Sequence, residues 1–147
     1  MKFKPRDYQQ IAIDHLVENK RCALFARPGM GKSSSTLAAL DSIYLAGESA
    51  PTLILAPKRV ALHTWPNEVK KWRDFSGYGI SQVVGTEQER LAALRRDVPF
   101  FSMNYENIPW LLDNLKGRWP FGIVVADEAT KLKNVRVSVR DSKAGPY

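Results

Sequence analysis

The sequence is poor in cysteine and histidine and contains no long apolar run. Its single cysteine, Cys22, permits no intramolecular disulfide, so we expect a reducing, cytoplasmic compartment. The two histidines, His15 and His63, lie apart from any cysteine cluster, which argues against a zinc site. No apolar stretch approaches the roughly 20 residues that cross a bilayer, so we expect no membrane partner.

Acidic residues are outnumbered by basic ones. The chain contains 22 lysines and arginines against 15 aspartates and glutamates, which gives a net charge of +7. This surplus favours a polyanionic partner, either nucleic acid or nucleotide or an acidic membrane surface, although the same cations can also lie on a solvated surface. Hydrophobic residues make up 44% of the 147 residues, which is enough for the core of one compact domain.

A glycine-rich turn lies between a strand-like run, residues 22–26, and a helix-like segment. Gly29 and Gly31 allow the main chain to approach an oxyanion, and the amide groups of the turn and of the helix that follows point at it. Lys32 is suited to the β- and γ-phosphates, and the Ser33 hydroxyl is suited to Mg²⁺. The pattern predicts a phosphate-binding loop, and the alternative is a glycine turn that merely precedes a lysine.

Strand-like and helix-like segments alternate along the chain, which predicts an α/β fold with a mostly parallel sheet covered by helices. We expect the strands at 52–56, 80–84, 100–103 and 122–126, and helices at 6–19, after the capping box of Thr86 and Glu89, and at 105–115. The pattern ends after residue 134. We therefore predict one domain over residues 1–134 and a poorly ordered tail over residues 135–147.

A basic and aromatic segment follows the strand predicted at 52–56. Lys58 and Arg59 come directly after Pro57, and Trp65 and Trp72 share a helix face because they lie seven residues apart. The two cations could contact a polyanion or simply be solvated. We interpret both indoles as core residues.

An acidic pair, Asp127 and Glu128, ends the strand-like run 122–126, which we expect to be buried. Open α/β sheets bind ligands at the carboxyl ends of their strands. Together with the phosphate loop, Asp127 is expected to hold Mg²⁺ through a water and Glu128 to polarise the attacking water, which amounts to hydrolytic phosphoryl transfer. The alternative is that both acids merely favour a helix N-terminus.

Five segments resemble, in order, motifs of the first RecA-like domain of the Swi/Snf-type DNA-dependent ATPases, a branch of the DEAD/DEAH-like helicase superfamily. The matching segments are Arg6–Gln9 (glutamine motif), Ala26–Ser33 (motif I), Leu53–Pro57 with Trp65, Glu68 and Trp72 (motif Ia), Ser102–Glu106 (motif Ib), and Asp127–Asn134, which is similar to D-E-A-H-x-L-K-N. Lys133 and Asn134 make the last segment the most specific of the five.

The resemblance implies a RecA-like P-loop NTPase fold with ATP and Mg²⁺ as cofactors and duplex DNA as partner. It assigns catalysis to Lys32, Asp127 and Glu128, and metal binding to Ser33 and Asp127. It assigns nucleotide binding, with Gln9 as the reader of the adenine, to Arg6, Gln9, Pro28, Gly29, Met30, Gly31, Lys32, Ser33 and Ser34. It assigns contacts with the DNA backbone to Pro57, Lys58, Arg59, Asn104 and Tyr105.

Three features depart from the family pattern: Thr130 replaces histidine, Arg27-Pro28 replaces an acidic pair, and one extra residue lies between Pro57 and Trp65. The sequence also ends before motif III and before the second RecA-like lobe, whose arginine finger is worth about 10³–10⁵ in rate in related systems. We therefore expect the isolated chain to be inactive or very slow unless a second lobe is supplied in trans. Two alternatives stay open: a non-hydrolysing nucleotide- or DNA-binding module that acts on a partner, and a P-loop kinase.

Overall fold

The computed structural model describes residues 2–19 and 32–127. They belong to two compact units. The N-terminal unit contains the described residues up to 49 together with residues 67–77, and the sheet unit contains residues 50–66 and 78–127. Cys22, the turn at 26–31, Glu128 and the predicted boundary and tail after residue 134 lie outside the described residues.

Nine regular elements follow one another in the described residues. They are α1 (Asp7–Glu18), α2 (Lys32–Leu45), β1 (Thr52–Ala56), α3 (Trp65–Lys71), β2 (Ile80–Val83), α4 (Glu87–Leu94), β3 (Phe100–Asn104), α5 (Ile108–Leu115) and β4 (Ile123–Ala126). The four strands agree with their predicted bounds to within one residue at each end. The helix predicted over 105–115 is instead a 3₁₀ turn, Tyr105–Asn107, followed by α5, because Pro109 is accommodated only in the first turn of an α-helix.

In the N-terminal unit, α1 packs against α2. Ile13 of α1 is buried, and Leu37 and Leu40 of α2 are buried on the face that their spacing predicted. The end of α2 is marked by Gly47, whose φ of 113° is a left-handed conformation that favours glycine. These contacts fix the start of α1 and the start of α2 within one unit.

Residues 67–77 complete the N-terminal unit around an aromatic cluster. The ring of Phe3 meets Trp72 edge-on at 5.2 Å between centroids and Phe75 at 5.5 Å. The backbone N–H of Phe3 also donates to Asp74 Oδ2 at 2.9 Å. The segment that precedes α1 is therefore held against the segment that follows α3.

In the sheet unit, four parallel strands are hydrogen-bonded in the order β2-β3-β1-β4. The buried side chains of β1, β2 and β3 form one apolar core with those of α4 and α5. Its members include Leu53, Val83, Phe101, Met103 and Leu111. The α/β class with a parallel sheet, as predicted from the alternating pattern, is confirmed.

The expectation that the last strand is buried is wrong. Along β4 partly buried residues alternate with exposed ones, and Val124 is 47% exposed. Within the described residues β4 pairs with β1 on one side only. Valine, isoleucine and alanine are apolar whether they are exposed or buried, so composition alone did not predict this exposure.

The extra residue between Pro57 and Trp65 coincides with a π-helical turn, Val60–Thr64. The backbone N–H of Trp65 donates to the carbonyl of Val60, five residues earlier. A π-turn takes up one more residue than an α-turn, so the insertion is absorbed within this turn. Trp65 is only 2% exposed, as its interpretation as a core residue requires.

Candidate nucleotide-binding site

The N-terminal unit contains a cavity of about 560 Å³, within the range of about 300–1,000 Å³ that is typical of small-molecule sites. The start of α1 forms one wall, the first turn of α2 another, and the segment around Trp72 a third. The lining residues are Phe3, Lys4, Arg6, Tyr8, Gln9, Lys32, Ser33, Ser34, Glu68, Lys71 and Trp72. Five residues predicted from the glutamine motif and the phosphate loop are thereby brought together.

Gln9 links two of these walls. Its Oε1 accepts a hydrogen bond from the backbone N–H of Arg6 at 3.0 Å, and its Nε2 donates to Ser34 Oγ at 3.3 Å. Gln9 is 8% exposed and Ser34 is 4% exposed, so the polar contact is shielded from water. The amide therefore both caps α1 and holds it against the first turn of α2.

The first turn of α2 faces the cavity with Lys32, Ser33 and Ser34. The first amide groups of a helix lack intrahelical partners and carry a partial positive charge. No acidic residue lies in the first turn of α2 to compensate that charge. Together with Lys32, the helix start is therefore suited to an anion.

Aromatic and charged side chains form the third wall, and sequence reasoning missed their role. Trp72 Nε1 donates to Glu68 Oε2 at 3.0 Å, and Lys71 Nζ lies 4.7 Å from the centroid of the Trp72 ring. The interpretation of Trp72 as a core residue is wrong, because α3 ends at Lys71 and Trp72 is only partly buried. A flat aromatic face that lines the same cavity as the Gln9 amide is suited to a planar base.

The carboxyl edge of the sheet collects most of the other predicted residues. Ala56 aligns with Asn104, and Leu55 aligns with Ala126, in a parallel register. The segments that leave β1, β3 and β4 therefore start side by side. Pro57 begins the first of these segments and Asp127 begins the last.

Asp127 is held at this edge by three hydrogen bonds. Its backbone N–H donates to the carbonyl of Leu55 at 2.7 Å, and its own carbonyl accepts from Tyr105 Oη at 2.5 Å. Its carboxylate oxygen Oδ2 accepts from Trp65 Nε1 at 3.0 Å. The carboxylate is half-buried, and its direction is set by groups that lie far from it in the sequence.

The residues predicted to contact DNA fall into two groups. Lys58 and Arg59 are exposed, and Pro57 is partly buried. Asn104 and Tyr105 are buried, at 8% and 4% exposure. The Asn104 side chain donates to Glu106 Oε2 at 2.9 Å and accepts from Asn107 Nδ2 at 2.6 Å. Their side chains are therefore engaged within the protein, whereas the two cations face solvent.

The predicted donors for Mg²⁺ are the Ser33 hydroxyl and the Asp127 carboxylate, and this assignment stays a prediction. In residues 2–19 and 32–127 no group of three acidic, histidine or cysteine side chains could hold a metal ion. Mg²⁺ in nucleotide sites usually takes only one or two protein oxygens, with waters and phosphates completing its shell. The predicted facing of the loop at 26–31 and the pair Asp127–Glu128 stays a prediction.

Among the helices of the described residues, none has the length and apolarity needed to span a bilayer.

Curated relatives were found over most of the chain. Protein p41 of Acyrthosiphon pisum secondary endosymbiont phage 1 is 45% identical over 137 residues, which cover 92% of this chain and 30% of that protein. Human chromodomain-helicase-DNA-binding protein 7 is 26% identical over 157 residues, which cover 89% of this chain and 5% of that protein. The chain therefore spans less than a third of the length of these relatives.

Solved structures show the same fold. The Sulfolobus solfataricus SWI2/SNF2 ATPase core, determined in complex with dsDNA, matches with a TM-score of 0.73 at 22% identity over 93% of this chain and 28% of that one. The UvsW helicase of bacteriophage T4 matches with a TM-score of 0.66 at 18% identity over 86% of this chain and 44% of that one.

These matches confirm the resemblance to the first RecA-like domain of Swi/Snf-type proteins that the motifs predicted. The family match itself extends over residues 6–142, from the capping residue of α1 onward. The chain belongs to the DEAD/DEAH box helicase family.

Proposed function

We propose that this chain is the ATP-binding lobe of a Swi/Snf-type DNA-dependent ATPase. The main support for the proposal is the cavity of the N-terminal unit. Arg6 and Gln9 line it from the start of α1, and Lys32, Ser33 and Ser34 line it from the first turn of α2. A base-reading amide and a phosphate-binding helix start are the two ends that a nucleotide requires. Membership of the helicase family supports ATP as the nucleotide.

At the base end, the Gln9 carboxamide is proposed to read the adenine, with Arg6 beside it. The contact from Gln9 to Ser34 limits how far the reading group can move from the first turn of α2. The aromatic face of Trp72 offers a surface against which a base can stack. Selectivity for adenine over guanine is therefore expected to depend on Gln9.

At the phosphate end, residues 28–34 are proposed to bind the triphosphate. Lys32 would neutralise the β- and γ-phosphates, Ser33 would supply an oxygen ligand to Mg²⁺, and Asp127 would hold the ion through a water. Bound Mg²⁺ would neutralise charge on the transferring phosphoryl group. Glu128 is proposed to polarise the attacking water, which makes Lys32, Asp127 and Glu128 the catalytic residues.

Turnover is proposed to require a second RecA-like lobe in trans. An arginine finger contributes about 10³–10⁵ in rate in related phosphoryl-transfer systems, and none of the five recognised motifs supplies one. We therefore expect this chain alone to bind Mg-ATP and to hydrolyse it very slowly. The alternative is a non-hydrolysing module that acts on a partner. Addition of a second lobe would raise the ATPase rate of an ATPase lobe and would not raise it for such a module.

DNA is proposed to bind at the carboxyl edge of the sheet unit through its phosphates. Lys58 and Arg59 support this contact because both are exposed, and the net charge of +7 favours a polyanion. Asn104 and Tyr105 are proposed to shape the same surface from within, since their side chains are buried. The solved SWI2/SNF2 core was bound to dsDNA, and the type ISP enzyme LlaGI was bound to a DNA substrate mimic, which is consistent with duplex DNA here.

The test is ATP binding by the wild type and by Lys32→Ala, with and without duplex DNA, over a series of salt concentrations. We expect Lys32→Ala to lose ATP binding and to keep DNA binding, and the DNA affinity to fall steeply with salt. Equal ATP affinity in the two proteins would contradict the nucleotide site. A DNA affinity that does not change with salt would contradict backbone contacts.

A further inference from the structure

One contact at the carboxyl edge of the sheet joins two residues that lie 62 positions apart. Trp65 Nε1 donates to Asp127 Oδ2 at 3.0 Å. Trp65 is only 2% exposed and follows directly on the π-helical turn Val60–Thr64. The indole therefore reaches the carboxylate from a rigid, buried position rather than from a mobile surface.

The geometry of this contact is strongly constrained. An indole N–H can only donate, and a buried donor without an acceptor is costly, so Trp65 gains from keeping Asp127 in place. Tyr105 and Leu55 fix the backbone of Asp127 through its carbonyl and its N–H. With the main chain and Oδ2 both fixed, the remaining carboxylate oxygen, Oδ1, has a defined direction.

We propose that Trp65 is a positioning residue for Asp127: its indole fixes Oδ2, so that Oδ1 is oriented to hold a divalent cation through a water. The inference rests on the proposed function, in which Asp127 holds Mg²⁺ in this way. Outer partners of metal ligands commonly contribute about 10–100-fold to metal affinity, because they orient the ligand before the ion arrives. Trp65 touches neither nucleotide nor metal in this scheme and acts only through Asp127.

The variant is Trp65→Phe, which keeps an aromatic ring, although a smaller one, and removes the N–H. The matched control is Trp110→Phe, which removes an exposed indole contact to Glu87 Oε1 at 3.4 Å. Electron paramagnetic resonance measures Mn²⁺ binding to each protein in the presence of ATP, and ATP binding is measured separately with the metal chelated. We expect Trp65→Phe to bind Mn²⁺ at least about 10-fold more weakly at unchanged metal-free ATP affinity, and Trp110→Phe to behave as the wild type.

A second measurement observes the Trp65 indole directly and does not depend on the folding of Trp65→Phe. The ¹⁵N-labelled indole resonances are assigned from single tryptophan variants, and Mn²⁺ with ATP is then added. We expect paramagnetic broadening of the Trp65 indole signal, and a shift of the same signal in Asp127→Asn. If the Trp65 indole signal is neither broadened by Mn²⁺ with ATP nor shifted in Asp127→Asn, the inference is wrong.

The outcomes separate the inference from the proposed function. If the wild type binds no Mn²⁺ with ATP, the proposed function fails, and the inference fails with it. If the wild type binds Mn²⁺ with ATP and Trp65→Phe binds it equally well, the proposed function stands and the positioning role is refuted.

Discussion

Replacing Gln9 by glutamate tests the base end of the site with little change in size. In the wild type, Gln9 Oε1 accepts from the Arg6 N–H at 3.0 Å and Nε2 donates to Ser34 Oγ at 3.3 Å. Glutamate keeps an acceptor for the Arg6 N–H, as in an ordinary capping box. The Ser34 hydroxyl can donate instead of accepting, so the contact with α2 can also persist. The change that matters is the loss of the N–H donor toward the base.

The size of the effect follows from that one donor. Loss of a hydrogen bond that leaves a buried group unsatisfied costs about 1–3 kcal/mol. Since about 1.4 kcal/mol is tenfold in affinity, the dissociation constant for ATP is expected to rise about 5- to 150-fold. The free energy of unfolding is expected to change by less than about 1 kcal/mol, because the capping acceptor is kept and a negative charge in the first turn of α1 is favourable.

The assay compares ATP with GTP by isothermal titration calorimetry, alongside thermal denaturation. Gln9→Glu adds a negative charge, which repels both triphosphates equally, whereas loss of base reading weakens ATP selectively. The matched control is Gln10→Glu, the same change at the exposed neighbouring residue, whose side chain contacts Asp14 and does not line the cavity. We expect the preference for ATP over GTP to fall in Gln9→Glu and to be kept in Gln10→Glu.

Two results would refute the reasoning. An unchanged ratio of ATP to GTP affinity in Gln9→Glu would show that Gln9 does not read the base. An equal loss of affinity in Gln9→Glu and Gln10→Glu would assign the effect to charge alone.

Three further predictions concern the sheet unit. Thr86→Ala removes the cap of α4, where Thr86 Oγ1 accepts from the Glu89 N–H at 3.2 Å, and should lower the free energy of unfolding in urea by about 1 kcal/mol; an unchanged midpoint would contradict the cap. Ser102→Ala removes a fully buried donor to the carbonyl of Ala61 at 2.7 Å and should cost about 1–3 kcal/mol in the same assay, whereas a neutral result would show that the carbonyl finds another partner. Replacing both Lys58 and Arg59 by alanine should reduce the salt dependence of DNA binding by about two phosphate contacts in a filter-binding series, and an unchanged slope would place the DNA elsewhere.

The elements that sequence predicted best are those with strong local chemistry. The run at 52–56 is continuously apolar and is closed by Pro57, so both its type and its end were readable. The cap of α4 was readable because Thr86 and Glu89 stand at the required spacing, and the structure shows both reciprocal hydrogen bonds. In each case the information lies within a few residues.

The elements that sequence predicted poorly depend on departures from regular geometry. Two residues seven positions apart share a helix face only when one continuous helix contains both. The prediction for Trp65 and Trp72 assumed such a helix. Because α3 ends at Lys71, Trp72 leaves the helix and lines the cavity instead of joining the core. No residue pattern near Lys71 indicates that the helix ends there.

The sequence identified Gln9 and Asp127 as candidate residues, but it did not indicate the contacts that hold each of them. The motifs identified Gln9 and Asp127, since each motif is local. The bond from Gln9 to Ser34 spans 25 residues and the bond from Trp65 to Asp127 spans 62. Contacts at such separations are set by how the elements pack, which a single sequence does not display. For the same reason, the burial of Tyr105 was not foreseen.

The most direct test of the central claim is photo-crosslinking of the wild-type chain with 8-azido-ATP, followed by mass spectrometry of the labelled peptides. We expect labelling of the cavity wall of the N-terminal unit, at Tyr8 or Trp72, and its loss in the presence of excess ATP. Labelling confined to the sheet unit, or labelling that excess ATP does not reduce, would contradict it.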